Sequence, residues 1–133
     1  MSTVADLDRF YAALLGGRVL RRGLLAKMET TVPVLPVFRY GLGIYARRGP
    51  CGTVWGHDGG YPGYANVAYH DRSGRRSALV MLPTEPDDQV GPLYQLTIDT
   101  AICQMFGRVP PTSATSHRSV LPLDKAIQRL AHR

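Results

Sequence analysis

The sequence predicts an α+β fold, an antiparallel β-sheet flanked by N- and C-terminal helices. Three observations lead there. Apolar residues recur at helical spacing near the start and again from Val90, four short β-compatible runs broken by glycine lie between them, and a polar Asp71-Arg72-Ser73-Gly74 segment joins the last two runs. With 133 residues, 44% of them apolar, the chain has enough material for one compact domain with a core.

Thr3 and Asp6 have the spacing of a capping box, and Leu7, Phe10, Tyr11, Leu14 and Leu15 follow on one helical stripe before Gly16-Gly17. A first amphipathic helix is expected there. A shorter one is expected from Arg22 to Met28, with Leu24, Leu25 and Met28 on its apolar side. Pro33 and Pro36 then interrupt regular hydrogen bonding, so residues 29–38 are expected to be a loop.

The β-compatible runs are Tyr40 to Ala46, Thr53 to His57, Tyr64 to His70 and Ser77 to Leu82. Asp71 to Gly74 supplies the turn chemistry of a hairpin between the last two. After Pro83 and Pro86, the residues Val90, Leu93, Tyr94, Thr97, Ile98, Ala101, Ile102 and Met105 lie at helical intervals and predict a long helix packed on the sheet. Residues 109–133 form a Pro/Ser/Thr-rich tail in which Leu121, Leu123, Ala126, Ile127 and Leu130 suggest a terminal helix. Such an arrangement leaves at least one sheet edge or face needing cover from elsewhere.

The net charge of +6 raises the question of nucleic acid, because clustered Arg and Lys neutralise phosphates. The arginine pairs 21–22, 47–48 and 75–76 are instead dispersed, each near a turn or element end, and no finger, helix-turn-helix or RNP pattern accompanies them. A solvated surface is the expectation, with no nucleic-acid partner. No apolar run reaches the roughly 18 residues a transmembrane helix needs, and the start lacks the basic-then-apolar order of a signal peptide. Cys51 and Cys103 form neither a C-x-x-C pair nor a metal cluster. They are either two buried thiols or a bridge, which would contribute about 4 kcal/mol by chain entropy.

The densest chemistry lies at Gly56-His57-Asp58-Gly59-Gly60, within a segment holding four glycines in the eight residues from Gly56 to Gly63. Read by composition alone, this is a strand ending in a glycine-rich turn, with His57 a hydrogen-bonded structural residue. Together with Tyr40-Gly41-Leu42-Gly43-Ile44 upstream and Gly63-Tyr64 downstream, however, it resembles the closing section of the serine β-lactamase and penicillin-binding protein superfamily. There a Y-G-L-G-type strand precedes an H-x-G or K-T-G strand. The resemblance runs across roughly residues 1–106 and is nearest to secreted D-alanyl-D-alanine carboxypeptidases of the H-x-G type. It implies a partial β-lactamase/transpeptidase-like fold over residues 1–108, and it implies that Cys51 and Cys103 are disulfide-linked.

The chemistry so implied is acyl transfer through a serine acyl-enzyme, with no cofactor and no metal. By motif position, His57 supplies a hydrogen bond or positive charge beside the nucleophile, Gly59 lets substrate lie against the strand, and the Gly60 N–H becomes an oxyanion-hole donor. Asp58 departs from the family, which has Thr there. An ionised carboxylate only accepts hydrogen bonds, so Asp58 should receive a substrate carboxylate poorly. Some relatives hold that carboxylate with an arginine on the preceding strand. Tyr45 stands at the aligned position here, and Arg47, on the same strand face by alternation, is the substitute expected.

The nucleophile motif S-x-x-K is missing: none of Ser2, Ser73, Ser77, Ser113, Ser116 or Ser119 has lysine three residues on. Tyr64-Ala65-Asn66 matches the superfamily's Y-x-N box but follows the H-x-G strand instead of preceding it, so it is taken as chance. Neither His57-Asp58 nor His70-Asp71 has metal-ligand spacing. Met1 falls where relatives are in mid-chain, so a truncated or misplaced start is expected. The leading expectation is the C-terminal portion of an extracellular or periplasmic serine hydrolase, inactive alone, whose partner is a D-alanyl peptide or β-lactam-like molecule. The alternative is a non-catalytic domain binding peptides or cell-wall fragments.

Overall fold

The structure, a computed structural model, describes residues 2–110. Helices α1 (Val4–Leu15) and α2 (Arg22–Met28) come first. Six strands follow, β1 (Val32–Leu35), β2 (Phe38–Tyr40), β3 (Tyr45–Gly49), β4 (Gly52–Tyr61), β5 (Tyr64–His70) and β6 (Ser77–Leu82), and α3 (Val90–Met105) closes the fold. The strands form one antiparallel sheet in sequence order, β1 to β6. The proposed terminal helix of residues 121–130 lies outside the described residues.

The capping box forms as its spacing requires. Thr3 Oγ1 accepts from the Asp6 N–H at 3.2 Å, and the Asp6 carboxylate accepts from the Thr3 N–H at 3.0 Å. The β5–β6 turn likewise follows its residues: the Gly74 N–H donates to Asp71 O at 3.0 Å, and Gly74 has φ of +70°. A side chain there would also meet the Ala12 carbonyl at 2.8 Å, so this glycine lets the hairpin pass under α1.

Two expectations need correction. Residues 29–38 are not a loop throughout, since Val32–Leu35 pairs with β2 around the two-residue turn Pro36-Val37. Among the described residues β1 is the sheet's outer strand, hydrogen-bonded on one side only, so Pro33 is tolerated there. The run from Tyr40 to Ala46 is not one strand either. It breaks at Gly41–Ile44, where the Gly41 N–H donates to Ile44 O at 2.7 Å and the Leu42 N–H to Met28 O at 3.0 Å. Gly43 has φ of +69°, and a side chain on Gly41 would lie 2.2 Å from the Met28 carbonyl. The end of α2 thus bends the chain between β2 and β3.

Period-two alternation divides the core between the sheet's faces. Val54 packs with Phe38, Tyr45, Val67 and Tyr69 against Tyr94, Ile98 and Ile102 of α3. Its neighbour Trp55 packs with Ile44 and Ala46 against Leu15 and Tyr11 of α1 and Met28 of α2. The helices therefore cover opposite faces. The first face is further fastened by the Cys51–Cys103 disulfide, which joins the β3–β4 turn to α3.

Candidate functional site

Strand β4 is longer than the neighbour on one of its sides. Its partners on β3 run from Gly52 to Gly56 only, whereas its pairing with β5 continues from Trp55 through Tyr61. Beyond Gly56, therefore, one edge of β4 has no strand partner among the described residues, and His57-Asp58-Gly59-Gly60 opens that stretch. The bend at Gly41–Ile44 causes this, because it turns the chain away just before Tyr45, the residue opposite Gly56. Gly56 itself has to be glycine. Its φ is +157°, and an added Cβ would sit 1.8 Å from the Ala68 carbonyl oxygen.

His57 is about one-third exposed and has partners at both ring nitrogens. Nε2 lies 2.8 Å from Tyr40 Oη. Nδ1 lies 2.5 Å from the main-chain oxygen of Asp58 and 3.3 Å from its Oδ1. The ring meets Tyr40 edge-on at a centroid distance of 5.7 Å and Tyr45 at 5.2 Å. Tyr45 is fully buried, and its hydroxyl pairs with that of Tyr69 at 2.7 Å.

The charge of Asp58 is felt by four tyrosines. Burial pushes the Tyr94 phenol up to about 12, and the Asp58 carboxylate adds to the rise. Burial likewise raises Tyr45, with the neighbouring Tyr69 and then Asp58 contributing. Tyr69 and Tyr11 are raised mainly by burial too, with Asp58 again adding to it. These four phenols stay protonated at neutral pH, so they do not act as bases. Gly59 is backed by Asn66 of β5, whose side chain an added Cβ would meet at 2.9 Å. Gly60 is exposed, with nothing within 4 Å of where a Cβ would project.

The structure thus brings His57, Asp58, Gly59 and Gly60 together on the open part of β4. Arg47 is not among them, and its expected part in substrate binding is corrected. Its Nη2 donates to Asp99 Oδ1 of α3 at 2.7 Å, with the two side chains only 3% and 1% exposed. Alternation does put it on the face of Tyr45, but that face is the one α3 covers. Tyr64-Ala65-Asn66 lies on β5, where Tyr64 is exposed and Asn66 serves as the backing just described. His70 is buried and hydrogen-bonded through Nε2 to Asp8 Oδ1 at 3.0 Å, tying β5 to α1. Among the described residues no three His, Cys, Asp or Glu side chains converge as metal ligands, and no helix is long and apolar enough to cross a membrane.

Tyr40 was missed as a site residue by sequence reasoning, although it opens the Tyr40-Gly41-Leu42-Gly43 motif. The signal that finds it is the strand register: Tyr40 lies opposite Tyr45, and Tyr45 opposite Gly56, which places its hydroxyl beside His57.

No family model matches the chain. A crystal structure of a D-stereospecific amidohydrolase from Streptomyces sp. is similar, with a TM-score of 0.63 and 36% sequence identity. The match covers 75% of this chain and 29% of that one. The chain therefore spans less than a third of the amidohydrolase it resembles.

Proposed function

We propose, on the premise of the penicillin-binding protein and β-lactamase superfamily that this likeness supports, that the chain is the C-terminal portion of a serine-type acyl-transfer hydrolase and supplies its substrate-flanking strand. The general hydrolase role is the part the amidohydrolase likeness supports. The finer assignment follows from motif position. His57 is the polar group beside the reacting centre, Asp58 and Gly59 contact substrate, and Gly60 contributes its main-chain N–H to an oxyanion hole.

One observation carries this reading: β4 outruns β3 at Gly56, so among the described residues no strand pairs with that edge of residues 57–61. In an antiparallel strand, alternate residues turn their N–H and C=O groups to a given side, so this edge offers main-chain donors and acceptors to an extended peptide. An oxyanion hole requires such fixed donors where negative charge develops on a carbonyl oxygen. The openness at Gly60 removes the steric objection to a close approach.

The nucleophile is assigned outside this chain, since no serine here has lysine three residues on. The disulfide agrees with an oxidising compartment, and an extracellular or periplasmic parent is part of the same proposal.

A labelled penicillin and a D-alanyl-D-alanine peptide test the reading on the 133-residue chain. Saturable, non-covalent binding that perturbs the backbone amides of residues 57–61 is the expected result. A covalent penicilloyl adduct on this chain would overturn the placing of the nucleophile elsewhere. Saturation without any change at residues 57–61 would overturn the open edge as the binding strand.

A further inference from the structure

The fold gathers at one end of the molecule cations that are scattered in the sequence. Gly74 of the β5–β6 turn lies under the end of α1, where an added Cβ would meet Ala12 O at 2.8 Å and Gly16 N at 3.2 Å. Just beyond, the Arg18 N–H closes α1 by donating to Ala13 O at 2.8 Å, and the chain enters α2. The far end of α2 reaches the same turn, because Arg72 donates to the Glu29 carboxylate through Nη2 at 2.9 Å and Nε at 3.2 Å. Arg18, Arg21, Arg22 and Lys27 on the helix side therefore share this end with Arg75 and Arg76 on the turn.

All six are exposed, and none has an ion-pair partner among the described residues. The carboxylates on α1, α2 and the turn are already engaged. Asp6 is paired with Arg9, Asp8 with His70 and Glu29 with Arg72, while Asp71 accepts from the Ser73 hydroxyl at 2.8 Å and the Arg75 N–H at 3.0 Å.

Charge alone suits any polyanion, and the apolar residues between the cations narrow the choice. Val19, in the link between Arg18 and Arg21, is 51% exposed, and Leu24, one helical turn from both Arg21 and Lys27, is 48% exposed. No residue of α2 is fully buried. Cations that attract phosphate headgroups, interleaved with half-exposed aliphatic side chains that gain by leaving water, suit the interface of an anionic membrane.

We propose that this end of the molecule is a peripheral docking surface for an anionic lipid bilayer, with the six cations supplying attraction and Val19 and Leu24 entering the headgroup boundary. The open part of β4 pairs with the first residues of β5, whereas the docking turn follows the last. At roughly 3.3 Å per strand residue, about 20 Å of sheet separates the two, so docking leaves that edge uncovered. The proposal does not depend on the edge binding a ligand.

The test is co-sedimentation of the 133-residue chain with phosphatidylcholine vesicles, with and without one-third phosphatidylglycerol. Binding is expected to the anionic vesicles only and should weaken as ionic strength rises. Arg75→Gln and Arg76→Gln should each weaken it about fivefold and together about 30-fold. Arg9→Gln, whose cation is already paired with Asp6, should change it less than about twofold. Val19→Ser with Leu24→Ser keeps the charge and should weaken binding about tenfold. These side chains are exposed, and unchanged amide dispersion in 15N spectra checks that each variant folds.

Equal binding to neutral vesicles would overturn the part of the cations. A loss from Arg9→Gln as large as that from Arg75→Gln would replace the patch with net charge alone. Unchanged vesicle binding by the Val19→Ser, Leu24→Ser variant would overturn the lipid reading, and tight binding of inorganic polyphosphate by that variant would name a soluble polyanion instead. No binding to anionic vesicles at low ionic strength would remove the docking surface altogether.

Discussion

Replacing Asp99 with asparagine isolates the question of what Arg47 is for. The pair is buried on both sides, with a 2.7 Å contact and side chains 3% and 1% exposed, so the guanidinium has no access to solvent. Arg47 Nη1 has no hydrogen-bond partner among the described residues, and the guanidinium carbon lies 6.0 Å from the Phe38 ring centroid and 5.9 Å from that of Tyr69. Those rings stabilise a cation only weakly. Removing the carboxylate charge therefore leaves a buried positive charge without its counter-ion, at a cost of about 3–5 kcal/mol. That is a large part of the roughly 5–15 kcal/mol expected for a domain of this kind. Urea unfolding followed by Trp55, the only tryptophan, provides the assay. With a slope near 2 kcal/mol per molar, the midpoint should fall by about 2 M. The double variant Arg47→Met with Asp99→Leu removes both charges and should recover most of the loss, because an apolar pair of similar volume needs no counter-ion. A loss below about 1 kcal/mol for Asp99→Asn would refute the reasoning. So would an Arg47→Met variant that keeps its stability yet loses peptide binding at residues 57–61, since Arg47 would then be a ligand contact after all.

Three other perturbations follow from the same structure. Replacing Cys51 and Cys103 together with serine opens a link between residues 52 apart in sequence and should cost about 3–4 kcal/mol in the same urea assay; an unchanged midpoint would contradict it. His70 is held below its ordinary value of 6.5 chiefly by burial, which outweighs the opposing pull of Asp8, so the unfolded chain takes up this proton first on acidification. Its contribution to stability is therefore complete above about pH 6.5 and is lost as pH falls through the lower folded value; stability that rises over the same acid range, or a profile unchanged by His70→Gln, would count against it. Gly56→Ala should cost more than about 3 kcal/mol, because its Cβ would lie 1.8 Å from Ala68 O, whereas Gly60→Ala, with no atom within 4 Å, should stay within about 0.5 kcal/mol; thermal melts showing comparable losses would undo that contrast.

Much of the fold is local enough to read from the chain. The Thr3–Asp6 cap, the Asp71–Gly74 turn and the apolar stripe from Val90 to Met105 each depend on residues a few positions apart, and each forms where its spacing puts it. What escaped depends on distant partners. Pro33 marks a loop unless the segment is known to be an outer strand, where one side needs no hydrogen bonds. Gly41 looks like an ordinary strand glycine until the Met28 carbonyl is placed against it. Arg47 shows the same boundary within the site. Alternation tells which residues share a face, and it grouped Arg47 with Tyr45 correctly, but it does not tell which helix will cover that face. Asp99, 52 residues further on, decides that.

The length mismatch between β3 and β4 connects the architecture to the chemistry. An interior strand is satisfied on both sides and has nothing to offer a peptide, while a long free edge invites pairing between copies of the chain. Here Trp55 and Gly56 are paired on both sides, and the strand's starting turn is fixed to α3 through Cys51. The second half emerges with its position already set, and on that edge only the five residues 57–61 lack a strand partner among the described residues. Asp58 sits within those five, and charge on a short edge is a known brake on edge-to-edge association.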